Sequence, residues 1–370
     1  MGIHIVKRNN ISPMKKAGYY VGAIFIALFL GACVLWAMGV NPFEYYYQMF
    51  TMDMVGNRIA YKTLMNYIKE LIPLILTSIA LSLTFKMKFW NIGAEGQFIM
   101  GAIAASAVGL KLGTTLPIGV TLLLICLSAM LAAGIYGLFV GILKVKFGTN
   151  ETLLTLMLNY IALYFLKFIG EKKEEWNFFL QEESLRPVFQ SFDELLAFPS
   201  ILIGKNFKLS ICVILTIVIG ILTYVYLKHT KQGYEISVIG DSVGTAHYAG
   251  MKVKRIILRT VFLSSAMIGL AAAFKVGSTG ELSTSITDDV GWTAIVVAWL
   301  AQLNTGMIFV VSGLICVLQF GSTVAAAEFV QVDSSFANML QGVILFLVLA
   351  ADFFIRFRIA RTKKGEKIDG

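Results

Sequence analysis

The polar side chains that could do chemistry are few in this sequence, and they lie in three clusters inside or beside apolar stretches. A charge at the centre of a bilayer costs about 2.5–3.5 kcal/mol on insertion scales, so polar groups there usually line a pathway or contact a partner. This pattern favours passage of a substrate over covalent chemistry. The candidate pathway residues are Asn91, Glu95, Gln97, Asn150, Glu151, Thr155, Asn159 and Trp292.

Two of the clusters open predicted helices. Asn91 and Glu95 are four residues apart and would share one helical face. Asn150 can cap the later helix, with Glu151 in its first turn. Because both carboxylates are expected near helix ends, the sequence favours capping and interhelical hydrogen bonding for them, with direct substrate contact as the alternative. Asn159 lies deeper in its helix and is the better candidate for lining a pathway.

The third cluster runs from Ser283 to Thr293 and includes Asp288, Asp289 and Trp292. It precedes a short apolar run, a pattern typical of re-entrant or broken helices.

Two common signatures of catalysis are missing from the sequence. It has no G-x-x-x-x-G-K-[ST] phosphate loop and no H-E-x-x-H pair. The four cysteines lie in apolar runs without C-x-x-C spacing, and the three histidines pair with no carboxylate at helical spacing. We therefore expect neither a metal nor a cofactor on this chain, and transport driven by a separate partner fits better than enzymatic activity.

The composition identifies the solvent. The 370 residues are 57% hydrophobic and 14% charged, with a mean hydropathy of +0.76, whereas soluble domains carry roughly 25% charged residues. The sequence predicts an all-α polytopic membrane protein with about ten transmembrane helices. Eight or nine remain possible, because the run 290–302 is short and the run 91–110 carries polar residues. The ten runs are 18–39, 67–85, 91–110, 116–143, 152–169, 209–227, 257–275, 290–302, 305–323 and 336–355.

The distribution of Lys and Arg predicts cytoplasmic N- and C-termini. This topology explains the net charge of +9, so no nucleic-acid partner is expected beside membrane lipid. The predicted organisation is a cytoplasmic N-terminus at 1–17, a transmembrane domain at 18–355 and a basic tail at 356–370. The first span is expected to be retained, since apolar sequence continues past a possible lipoprotein cleavage box. Within the domain, 170–208 forms an outer amphipathic cap and 228–256 forms a cytoplasmic loop.

The cytoplasmic loop holds a predicted short helix. Asp241 is a plausible N-cap, about two helical turns follow, and Gly250 is a C-terminal stop. Such a helix could dock into a groove on another protein or serve as a structured connector, and the residues alone do not separate these roles.

Two segments carry a resemblance to a known family. Residues 90–97, Trp-Asn-Ile-Gly-Ala-Glu-Gly-Gln, with Phe85 upstream, are similar to an F-x-x-G-x-W-N-I-G-A-E-G-Q signature, although Lys88 replaces its first Gly. The run Gly148 to Ala162 is similar to G-T-N-E-V-x-x-T-L-M-L-N-Y-I-A. The chain resembles the membrane permeases of bacterial ABC importers of the branched-chain amino acid and simple sugar type, especially the nucleoside-uptake branch.

The resemblance implies a function and an assembly. It implies alternating-access uptake of a nucleoside or related ribosyl compound across the bacterial cytoplasmic membrane. The partners would be a second permease subunit, often different, two ATPase subunits that bind ATP and Mg, and an extracellular substrate-binding lipoprotein. The ATPase-coupling residues would be Gly240, Asp241, Ala246, Tyr248, Ala249 and Gly250.

Two alternatives remain open. A simple sugar or riboflavin permease shares the Asn-Ile-Gly-Ala-Glu signature, and an ion-coupled secondary transporter could use Glu95 and Glu151 as relay groups.

Overall fold

The computed structural model describes residues 2–7, 12–57, 59–113, 115–192, 197–203, 207–329, 331–333 and 335–362. Within these residues the chain is mostly helical, with four short strands: β1 (Gly2–Lys7), β2 (Ser200–Ile203), β3 (Phe207–Ser210) and β4 (Phe357–Thr362). The helices are α1 (Pro13–Ala37), α2 (Pro42–Thr51), α3 (Ala60–Lys86), α4 (Ala94–Leu112), α5 (Ile118–Phe147), α6 (Glu151–Glu171), α7 (Ile211–His229), α8 (Lys231–Asp241), α9 (Val243–Tyr248), α10 (Val253–Thr279), α11 (Val290–Leu300), α12 (Thr305–Glu328) and α13 (Ser335–Arg356).

Eight helices of the described residues are long and apolar enough to cross a membrane: α1, α3, α5, α6, α7, α10, α12 and α13. These eight coincide with eight of the ten predicted runs. The other two runs form α4, which begins with the polar residues Glu95 and Gln97, and α11, which has only 11 residues. They are the two runs that the sequence analysis gave as uncertain crossings. The all-α polytopic fold class is confirmed.

The chain divides into two compact units, and the first comprises Met1–Arg58 and Val317–Gly370. In it α1 packs against α13, and β1 pairs antiparallel with β4. Helix α2, which the sequence analysis did not predict, begins where the Asn41 side chain accepts a hydrogen bond from the Phe43 N–H at 3.1 Å and Pro42 occupies the first turn. Tyr45 of α2 is fully buried and hydrogen-bonds to the Ser322 hydroxyl.

The second unit, Ile59–Cys316, contains the candidate site. Its core is α10, which packs against α3, α4 and α5 through small residues that let the helix backbones approach closely. A Cβ on Gly101 of α4 would lie 2.8 Å from the Cα of Gly269 on α10. A Cβ on Gly137 of α5 would meet the Ser265 side chain. Larger side chains at these positions would push the bundle apart.

The described part of the outer cap is not one regular element. After α6 it forms an isolated bridge between Leu180 and Phe189, followed by the antiparallel hairpin of β2 and β3. Its aromatic side chains divide between two environments. Trp176 is half exposed, whereas Phe179 is buried and Phe198 packs edge-on against Phe274 of α10 at 5.4 Å between ring centres. The cap is therefore anchored partly on the second unit's own core.

Candidate functional site

The turn before α4 holds an amide pair. The Asn91 side chain donates to Gln97 Oε1 at 3.1 Å, and the Gln97 side chain donates back to Asn91 Oδ1 at 3.0 Å. Both side chains are buried, at 0% and 2% exposure. The expected helical face shared by Asn91 and Glu95 is wrong, because α4 begins only at Ala94 and Asn91 lies in the preceding turn. The pair satisfies its polar atoms within the chain and holds the turn in shape.

Helix α6 is fastened to the same turn by two of the predicted pathway residues. Asn159 Nδ2 donates to the Ile92 carbonyl, and Asn159 Oδ1 accepts from the Gly96 N–H, both at 2.8 Å. One turn earlier, Thr155 Oγ1 accepts from the Ile92 N–H at 3.2 Å. A Cβ on Gly96 would lie 3.0 Å from Asn159, so this close approach depends on glycine. Asn159 therefore binds backbone with both ends of its amide.

Glu95 supplies the N-terminal cap of a different helix. Its Oε2 accepts from the Gly291 N–H at 2.8 Å, and the Trp292 N–H and the Thr287 side chain also hydrogen-bond to it. Helix α11 has no cap of its own, because Asp289 before it adopts a left-handed conformation, with φ 56°, and makes no side-chain cap. A carboxylate at a helix N-terminus satisfies orphan N–H groups and opposes the helix dipole. The favoured capping and interhelical role is thus what the Glu95 geometry shows.

The start of α6 follows the predicted pattern. Asn150 Oδ1 accepts from the N–H groups of Thr152 and Leu153 at 3.0 and 3.3 Å. Glu151, in the first turn and 8% exposed, pairs with Lys144 Nζ at 2.6 Å across the α5–α6 connection. Both side chains are occupied by the chain's own groups.

A cavity of about 430 Å³ opens beside the Glu95 cap. Three predicted pathway residues, Glu95, Asn159 and Trp292, contribute to its wall, whereas Asn91, Gln97, Asn150, Glu151 and Thr155 do not. Most of the remaining lining residues belong to the third predicted polar cluster, and only Tyr160 and Leu163 lie outside it: the cluster contributes Thr284, Ser285, Thr287, Asp288 and Asp289. Hydroxyl groups, carboxylates and two large aromatic rings thus surround one space, which is suited to a polar solute with a flat face.

The loop that forms much of this wall has an unusual backbone. Asp288 and Asp289 are consecutive residues with φ of 41° and 56°. A left-handed conformation costs an L-residue roughly 1–2 kcal/mol, so two in succession need support from their surroundings. The two residues lie directly before α11, at the end of the loop 280–289 that follows α10.

A buried lysine next to this loop was missed by the sequence analysis. Lys275 of α10 is 2% exposed, and its ammonium binds Glu70 of α3 and Asp288 Oδ2, the latter at 2.9 Å. The available signal was a single lysine inside the apolar run 257–275, since an intramembrane charge marks a functional hypothesis by default.

The cytoplasmic loop predicted at 228–256 forms two helices, α8 and α9, instead of one. Asp241 is not the N-cap: it is the last residue of α8, and Ser242 caps α9 by accepting from the Thr245 N–H at 3.2 Å. Ser242 takes this role because its backbone is extended whereas Asp241 is still helical. Gly250 ends the segment in a left-handed conformation with φ 70°, as predicted.

The six proposed coupling residues separate by exposure. Gly240 and Ala246 are buried, and a Cβ on Gly240 would collide with the Lys86 carbonyl at the end of α3. The four exposed residues are Asp241, Tyr248, Ala249 and Gly250, with Tyr248 at 96%. Two positions thus fix the segment to the second unit, and four form its outer surface.

An aromatic cluster covers the end of α11. The indoles of Trp90 and Trp299 stack at 5.3 Å between centres with 7° between planes, and Phe85 contacts both. Lys88, in the turn between Phe85 and Trp90, has φ 57°. This explains why the related signature carries glycine at that position.

Comparisons with known proteins agree with this architecture. Residues 63–349 match the family model described as branched-chain amino acid transport system / permease component. The chain is 27% identical to the guanosine ABC transporter permease protein of Bacillus subtilis, over 80% of this chain and 83% of that protein. It is 26% identical to the nucleoside ABC transporter permease protein of Lactococcus lactis subsp. cremoris, over 93% and 96%.

A relative that is named as a sugar permease is about as similar to this chain. The glucose ABC transporter permease protein of Haloferax volcanii is 26% identical over 95% of this chain and 92% of its own length. The family match covers well over half of the chain. The protein therefore belongs to this family of transport-system permease components and is a multi-pass protein of the cell membrane.

Proposed function

We propose that the protein is the permease subunit of an ATP-driven importer that moves a nucleoside or related ribosyl compound by alternating access. The observation that carries this proposal is the 430 Å³ cavity at the start of α11. Its volume lies within the 300–1,000 Å³ typical of small-molecule sites. The rings of Tyr160 and Trp292 can stack on a flat base, and the hydroxyls of Thr284 and Ser285 can hydrogen-bond to a sugar.

The assembly in this proposal contains a second permease subunit, two ATPase subunits that hold ATP and Mg, and an extracellular binding protein. The exposed face of α9 supports it, because Tyr248 presents almost its whole side chain on a segment fixed from behind. Gly233 packs against the Tyr226 and Leu227 carbonyls of α7, and Glu235 pairs with Arg259 of α10 at 3.1 Å. A force on this segment would therefore be transmitted to the membrane-spanning helices α7 and α10.

Sugar transport is the second candidate, since a glucose permease is as similar as the nucleoside permeases. A flavin remains a further candidate. Ion-coupled transport has less support, because Glu95 is engaged by three donors and Glu151 by Lys144.

Uptake by the reconstituted complex tests the proposal. The chain is expressed with the ATPase, second permease and binding-protein genes expected beside it, and liposomes are assayed with tritiated guanosine, uridine, glucose and riboflavin. We expect saturable nucleoside uptake that requires ATP and stops with a hydrolysis-deficient ATPase. Uptake of glucose or riboflavin alone would move the assignment to that substrate. Uptake that follows an ion gradient without ATP would refute the importer mechanism.

The coupling surface is tested by Tyr248→Asp. Because this side chain is exposed, we expect thermal stability to be unchanged and ATP-driven uptake to fall about tenfold or more, as for loss of a central contact of about 1.4 kcal/mol. Tyr234→Asp is the matched control, since Tyr234 is a 64% exposed tyrosine of the same loop outside the coupling residues. Equal uptake by the two variants would contradict the coupling role.

A further inference from the structure

Lys275 occupies an environment that is costly for a charge. Its neighbours on α10, Phe274 and Val276, are buried at 2% and 0% exposure, and Lys275 itself is buried at 2%. Its ammonium is held by two carboxylates from different elements, Glu70 of α3 and Asp288 of the loop before α11. Their side chains are 35% and 54% exposed, so the ion triad runs from the helix core to accessible space.

Stability alone is a poor reason for this arrangement. Desolvation of a buried ion pair commonly offsets its Coulombic attraction, and well-packed apolar residues of similar volume are often as stable or more stable. An ionisable group inside a membrane-spanning helix therefore indicates a function. The residues that pair with it indicate where that function is located.

One of the two partners belongs to the cavity wall. Asp288 lines the cavity and is the first residue of the left-handed pair Asp288–Asp289. The adjacent residues Ile286 and Thr287 are buried at 2% and 8% exposure, so this part of the loop is held inward. Two unfavourable backbone conformations in succession do not persist unless contacts hold them, and the Asp288–Lys275 bond at 2.9 Å is such a contact.

We propose that Lys275 is a positioning residue for the cavity. Its bond to Asp288 keeps the loop before α11 in the left-handed conformation. It thereby fixes the positions of Thr287 and Asp289 beside the start of α11, which Glu95 caps. Glu70 binds the Lys275 ammonium from α3 and is not part of the loop. As a statement about transport, the proposal rests on the proposed function, but its structural content does not.

A thiol-accessibility measurement tests the structural content without a substrate. Ile286→Cys is introduced into the full chain, and its modification by N-ethylmaleimide in membrane vesicles is followed by mass spectrometry of the peptide that contains position 286. We expect Lys275→Gln and Asp288→Asn each to accelerate modification about tenfold or more, because the loop opens. Asp288→Asn keeps the test valid if Lys275→Gln lowers expression, since the Asp288 side chain is more than half exposed.

Two controls separate positioning from general packing. Glu70→Gln removes the other carboxylate of the triad, and Lys275→Arg keeps the positive charge. In both variants the modification rate of Ile286→Cys should stay within about twofold of the rate with Lys275 and Glu70 unchanged, since small perturbations of one contact stay local. If Glu70→Gln accelerates modification as much as Lys275→Gln, the triad only packs helices and the proposal is overturned. It is also overturned if neither Lys275→Gln nor Asp288→Asn accelerates modification.

Uptake then links the loop to transport. In the reconstituted complex, Lys275→Gln should lower uptake about tenfold or more and Lys275→Arg should restore most of it. Absence of uptake by the unmodified complex would count against the proposed function and would leave the accessibility result standing. Accelerated modification with unchanged uptake would refute the role of Lys275 in transport.

Discussion

Removal of the Glu95 carboxylate should loosen the first turn of α11. Glu95→Ala leaves the Gly291 and Trp292 N–H groups without their acceptor. Each buried donor left unpaired costs about 1–3 kcal/mol, and loss of an N-cap costs about 0.5–2 kcal/mol. Because Glu95 lines the cavity, water can replace part of this loss. We expect local opening of the first turn of α11 to become easier by about 2–4 kcal/mol, which is the cost of two unpaired donors less the part that water replaces.

Hydrogen exchange measured by mass spectrometry is the direct assay, because amide exchange reports local opening. At about 1.4 kcal/mol per tenfold, the peptide covering residues 288–295 should exchange about 30-fold to about 1,000-fold faster in Glu95→Ala. Glu95→Gln retains a carbonyl oxygen and should give a smaller acceleration. The matched control is Glu151→Ala, which removes a similarly buried carboxylate that caps no residue of α11. Unchanged exchange of this peptide in Glu95→Ala, or equal acceleration in the control, would refute the capping argument.

Three further substitutions test other parts of the second unit. Lys88→Gly should raise the free energy of unfolding by about 1 kcal/mol, because φ of 57° strains a side-chain-bearing residue; a lower melting temperature would contradict this. Gly240→Ala should lower stability by about 1–3 kcal/mol, since its Cβ would meet the Lys86 carbonyl; unchanged melting would show that α8 shifts freely. Asn159→Leu should cost about 2–4 kcal/mol, because two backbone groups lose their partner; normal melting and uptake would remove Asn159 from the site.

The membrane-spanning helices were predictable because long apolar runs leave few alternatives in lipid. Local capping was also predictable from the sequence. The Asn150 side chain accepts hydrogen bonds from N–H groups only two and three residues further along the chain, so the spacing of the residues reveals the cap. The turn before α4 was less accessible. Whether Asn91 continues the helix or pairs with Gln97 depends on tertiary contacts with α6, which no local pattern encodes.

The composition of the cavity could not be predicted from spacing. Glu95 is 196 residues away in sequence from Gly291, whose N–H donates to it, and Lys275 is 205 residues away from Glu70. Only the fold brings such pairs together. Among the predicted pathway residues, Glu95, Asn159 and Trp292 line the cavity, whereas Asn150 and Glu151 remain at the start of α6, where the chain's own groups satisfy them.

Helix α11 is held at both ends by one six-residue stretch, 90–95. Glu95 caps its start and Trp90 stacks on Trp299 near its end, so both ends of α11 are attached to the beginning of α4 and the turn before it. Left-handed pairs lie on either side of α11: Asp288–Asp289 before it and Gln302–Leu303 after it, with φ of 51° and 57° in the second pair. A rotation of α11 would have to change the backbone at these two pairs, and the cavity lies against the first of them.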